Sequence, residues 1–92
     1  MQQITAHPYQ VDKNYFIRTF TNYYTGKLVE VTENELVLED CAWIADTGRF
    51  GEAMKSGSLN EVEPFPAGQV IIARSGVVDA HIFNHNLPRE EK

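Results

Sequence analysis

Ninety-two residues, 42% hydrophobic and 11% aromatic, are enough for one small packed domain and argue against a disordered chain. The formal charge is −5, and Glu30, Glu33, Glu35, Glu39 and Asp40 fall in a stretch without Lys or Arg. That balance disfavours duplex nucleic acid, whose binding rests on phosphate neutralisation.

Residues 1–14 (MQQITAHPYQVDKN) are polar and read as an extended N-terminal arm. They carry neither a basic n-region nor an apolar h-region, and no apolar run in the chain approaches the roughly 20 residues of a membrane span. A soluble, cytoplasmic protein is expected. The lone Cys41 leaves no internal disulfide and no cysteine-based zinc site.

From Tyr15 the chain turns strand-like. YFIRTFTNYY is rich in aromatic and β-branched residues, and Thr25-Gly26 marks a bend after it. KLVEVT and LVLEDCAWI follow as a hairpin around Glu33-Asn34-Glu35, with Asn34 suited to a left-handed turn position. Strand alternation puts Leu36, Leu38, Ala42 and Ile44 on one face, and Val37, Cys41 and Trp43 on the other.

A short helix is predicted over about residues 48–56. Thr47 is a suitable N-cap, Gly57 a suitable C-terminal stop, and Phe50, Ala53 and Met54 fall at i, i+3, i+4 spacing. SGSLNEVEPFPAG then reads as a connector, with Phe65 locked between two prolines. QVIIAR and VVDAHIF form a last strand pair around Ser75-Gly76, and the polar tail of residues 84–92 is expected to fray. The reading is mainly β: five strands in a single domain over 15–83, with one short helix in a long inserted connection.

This order resembles the Sm-like small barrel of LSm proteins and the bacterial RNA chaperone Hfq. Gly26-Lys-Leu28-Val-Glu-Val31 with Leu36-Val-Leu38-Glu-Asp40 is similar to the first Sm signature, and Val70-Ile-Ile-Ala-Arg74-Ser-Gly76 to the second. The resemblance implies a five-stranded barrel, assembly of the chain with copies of itself, and single-stranded RNA as one ligand class. Two departures stand out: Glu33 and Glu35 occupy the hairpin of the family's RNA loop, and Ser75 separates Arg74 from Gly76. The text from Asn22 to Phe50 also resembles small phage and prophage proteins, which implies an accessory or host-interfering role.

Candidate functional residues cluster around CAWIADTGRF. Asp46 or Thr47 caps the helix in the first reading. In the second, the helix N-terminus, Arg49 and Trp43 cradle a nucleotide phosphate and base. Tyr24, Arg74 and Ser75 join this ligand set; Tyr23 and Tyr24 face opposite ways, and Arg74 ends an apolar strand. The preferred expectation is therefore a non-enzymatic oligomeric binding protein that holds a small anionic ligand such as a nucleotide. The alternative is an interaction module that inhibits a host defence protein, with Glu33, Glu35 and Glu39 as its interface.

Asp79 and His81 share a strand face, but no third metal ligand is apparent beside His81 and His85. Cys41, amid apolar neighbours and two acids, reads as an inert thiol. No cofactor and no catalytic residue is expected.

Overall fold

The computed structural model of the protein describes residues 7–92, so the first six residues of the expected arm lie outside the described residues. The elements are β1 (Asn14–Thr19), β2 (Tyr23–Val31), β3 (Glu35–Asp46), α1 (Phe50–Ser56), β4 (Glu61–Pro64), β5 (Gln69–Ala73) and β6 (Val77–Ile82). One turn of 3₁₀ helix, Arg74–Gly76, joins β5 to β6. The strands make one open antiparallel sheet of six, in the order β4-β3-β2-β1-β6, with β5 pairing β3 off this path. Mainly β with one short helix is thus as the sequence predicts, while the sixth strand, β4, forms inside what reads as a connector.

Two local expectations change. The bend expected at Thr25-Gly26 lies instead at residues 20–22, where the Thr19 hydroxyl donates to the Asn22 carbonyl at 2.7 Å and accepts from its N–H at 3.0 Å. Gly26 sits inside β2 because a Cβ there would stand 3.1 Å from the Cβ of Leu38. The β2–β3 turn is closed by Thr32, whose N–H donates to the Glu35 carbonyl and whose hydroxyl accepts from the Glu35 N–H. Asn34 does not take the left-handed conformation; among the described non-glycine residues Asp12 and Asp40 do.

Asp40, at φ 51°, explains a larger difference. The register between β2 and β3 shifts beside it, so the alternation of buried faces along β3 reverses. Leu36, Leu38 and Cys41 therefore point to one cluster, with Tyr15, Ile17, Leu28 and Ile72. Ala42 and Ile44 point to the other, with Phe16, Ala53, Val62, Phe83 and Leu87. The first half of β3 pairs with β5 and its second half with β4, so one strand serves two cores.

The second core is roofed by α1 and the C-terminal segment. Phe50 packs edge-on against Phe16 at 5.6 Å, and Ala53 is fully buried, as the helical spacing predicts. A helix of seven residues is stable only through such docking. It ends at Gly57 in the left-handed conformation, as expected. Thr47 is not its cap: the N-cap is Arg49, with no side-chain capping bond.

The tail is held in place where fraying was expected. Leu87 is buried, Lys92 and Val62 exchange backbone hydrogen bonds at 3.1 and 3.3 Å, and Arg89 pairs with Asp40. His85 meets the Met54 carbonyl through Nε2 at 2.7 Å, tying the tail to the helix end. The polar letters of the tail hide these anchors because their partners, Asp40, Met54 and Val62, lie far away in the sequence.

Between β1 and β6, Arg18 grips Asp79 with both arms of its guanidinium and lies over the Phe50 ring. His81 approaches the same carboxylate through Nε2 at 3.0 Å. The bond from Arg18, then that from His81, holds the Asp79 carboxyl below its ordinary range. No helix among the described residues is long and apolar enough to cross a membrane.

Candidate binding surface

The cross-strand register lines up Ile17 of β1 with Tyr24 of β2, Tyr24 with Trp43 of β3, and Trp43 with Glu63 of β4. Directly paired residues of antiparallel strands share a face, so these four form one row. The row runs outward from the core: Ile17 is buried, Tyr24 half-buried, Trp43 40% exposed and Glu63 exposed.

Phe65, two residues beyond Glu63, returns to that face, and its ring lies 6.2 Å from that of Tyr24. Its backbone is pinned by the bond from its N–H to the Cys41 carbonyl at 2.9 Å, with Pro64 and Pro66 on either side. Asn22 donates to the Tyr24 hydroxyl at 3.2 Å and orients that ring. These side chains line an open groove of about 270 Å³, mostly apolar, with Glu63 its single charged residue among the described residues.

Trp43 and Tyr24, both expected at a site, are therefore brought together. Phe65 and Glu63 were not among the expected site residues. The rigid Pro-Phe-Pro segment is the signal that an exposed ring is being presented, but its partners become visible only once Glu61–Pro64 is seen to be a strand paired with β3.

The Asp46–Arg49 loop is a separate feature. The Asp46 carboxylate accepts from the Gly48 N–H at 2.8 Å, and the Thr47 hydroxyl donates to the Gly48 carbonyl at 2.8 Å. Both side chains shape the turn, Gly48 supplying φ 71°, while Arg49 is exposed.

Arg74 and Ser75 line another cleft together with Glu33, Glu35, Tyr9 and Ile71. The Arg74 guanidinium donates to the Thr32 carbonyl at 2.8 Å and the Glu33 carbonyl at 3.3 Å, and stands 5.5 Å over the Tyr9 ring. It ties the 3₁₀ turn to the β2–β3 hairpin. Glu39 lies apart, accepting from Gln69 at 3.2 Å. The expected ligand set thus divides among three places: the aromatic groove, the loop before α1, and the hairpin cleft.

Burial pushes the Cys41 thiol up to about 12, which keeps it protonated at neutral pH. Among the described residues no group of three or more His, Cys, Asp or Glu is arranged to hold a metal ion. Comparison of the chain with protein-family models, curated proteins and solved structures finds no match.

Proposed function

We propose that the protein is a non-enzymatic interaction module that engages another protein through its aromatic groove and acidic hairpin. One observation carries this reading: Trp43 and Phe65, each 40% exposed, are held rigidly beside an acid on a chain of net charge −5. Rigid exposed aromatics are the side chains that dominate protein interfaces, and surface acids steer a basic partner toward them. Glu33 and Glu35 are exposed on the hairpin at the start of β3, away from the groove, and add a second acidic region. The resemblance of residues 22–50 to phage and prophage proteins fits a host protein as that partner.

Self-association and an Sm-type small barrel belong to the same proposal. Strands β5 and β6 lie at separate places in the ladder, joined by the 3₁₀ turn, as a sheet curling toward closure would have them. Ile71 and Val78 are 66% and 55% exposed on these two strands, and apolar edges of this kind invite pairing with a second copy.

A second reading, a nucleotide-like ligand, is favoured by the exposed Trp43 ring on which a base could stack. The cations expected to hold its phosphate, Arg49 and Arg74, do not line that groove. Single-stranded RNA meets the same objection.

Affinity purification from the expression host tests the module, comparing wild type with a Glu33→Lys, Glu35→Lys, Glu39→Lys variant. Native mass spectrometry is run on the same samples. A protein partner retained by wild type and released by the variant is the expected result. A retained nucleotide or oligonucleotide without a protein partner would replace this reading with the second one.

A further inference from the structure

We infer that the aromatic groove receives a cationic side chain of the partner, arginine foremost, with Glu63 as its counter-ion. This inference rests on the interaction reading above and names the group recognised. It starts from the chemistry of the walls. Aromatic faces carry negative quadrupole potential and attract a cation placed over them, and Trp does so best. Tyr24, Trp43 and Phe65 supply three such rings around one opening.

The carboxylate is placed where it would be needed. Glu63 is the direct cross-strand neighbour of Trp43 in the β3–β4 ladder. Paired Cβ atoms on one face are about 5 Å apart, so a group resting on the indole lies within reach of that carboxylate. A guanidinium satisfies both walls at once: its plane stacks on the ring while its N–H edge donates to the carboxylate.

Charge complementarity points the same way. The adjoining groove, which shares Phe65 and Pro66, contributes Glu39 and Asp40 and, among the described residues, no cation. Anions approaching this surface therefore meet repulsion, partly relieved where Arg89 pairs with Asp40. Size agrees as well: about 270 Å³ lies below the roughly 300–1,000 Å³ of small-molecule sites and suits one inserted side chain.

The chain has a single tryptophan, so Trp43 fluorescence reports on the groove directly. The probes are the peptides acetyl-Gly-Arg-Gly-Arg-Gly-amide and its citrulline counterpart, which keeps the shape and loses the charge, together with tetramethylammonium and AMP. A saturable change is expected with the arginine peptide, at least about fivefold weaker with the citrulline peptide. Glu63→Gln and Phe65→Leu, which leave the fluorophore in place, should each weaken the arginine response by about threefold or more. Tetramethylammonium should bind more weakly than the peptide; tighter binding would indicate a free quaternary ammonium as the ligand and overturn the peptide assignment. Equal response to both peptides, or a stronger response to AMP, overturns the inference.

Two outcomes separate it from the broader reading. Arginine-peptide binding that survives Glu63→Gln and Phe65→Leu but is lost on the Glu33, Glu35, Glu39 reversal refutes the groove and leaves the acidic interface standing. No saturable response to the arginine peptide, with a basic host protein still captured, refutes the groove alone. No response and no captured protein refutes both.

Discussion

Replacing Arg74 by Ala separates a structural arginine from a ligand-binding one. Its guanidinium donates to the carbonyls of Thr32 and Glu33 and stands over the Tyr9 ring. A hydrogen bond from a charged donor contributes about 1.5–3 kcal/mol when well shielded. Arg74 is only half-buried, and the second of its bonds is long at 3.3 Å, so the lower end of that range covers the pair. The cation–π contact adds about 0.5–1 kcal/mol. The expected loss is about 2–2.5 kcal/mol, since the backbone bond from the Arg74 N–H to Asn34 survives the substitution.

For a domain of this length each kcal/mol moves the melting temperature by roughly 4–8 °C, so a fall of about 8–20 °C is expected. Calorimetry and urea denaturation on the same samples measure it. Arg49→Ala, a change at an exposed side chain, is the control and should stay within about 0.5 kcal/mol of wild type. An Arg74→Ala variant as stable as that control would refute the structural role and return Arg74 to the ligand reading.

Thr25 is fully buried and its hydroxyl has no hydrogen-bond partner among the described residues, so Thr25→Val should raise stability by about 1 kcal/mol in urea denaturation; a loss would reveal a hidden partner. Cys41, buried and with its thiol pushed up to about 12, should not react with a thiol-specific chromophore in the native state and should react fully in denaturant. The Asp79 carboxyl is depressed in the folded state, so its contribution is present above the unfolded value of about 3.9 and is lost as pH falls through the folded value. The stability gap between wild type and Asp79→Asn should therefore narrow steadily below about pH 4; a constant gap would mean that the Arg18 and His81 contacts are not formed in solution. Gly57→Ala should cost more than a helix-terminus change usually does, because the position has φ 81° and a Cβ would stand 2.7 Å from the His85 ring; an unchanged melting curve would place the tail elsewhere.

The sequence by itself determined what depends on neighbouring residues along the chain. The mainly β character, the α1 face of Phe50, Ala53 and Met54, and the Gly57 stop are local consequences of side-chain shape and spacing, and they appear as the sequence predicts, though the run YFIRTFTNYY is split by a bend at residues 20–22. Trp43 and Tyr24 were legible as candidate site residues, and the structure brings them together. Tertiary structure decided the rest. The reversal of faces at Asp40 follows from one backbone angle that no periodicity announces, and it directs Cys41 to one core and Ala42 to the other. Polar residues expected to bind a ligand or to fray proved to be engaged at long range: Arg74 with the hairpin carbonyls, Arg89 with Asp40, and His85 with the helix end. The groove itself is a product of register. Tyr24, Trp43 and Glu63 meet because three strands align them side by side, and Phe65 joins them because β4 forms, events separated by up to 41 positions in a chain whose letters encode no pairing.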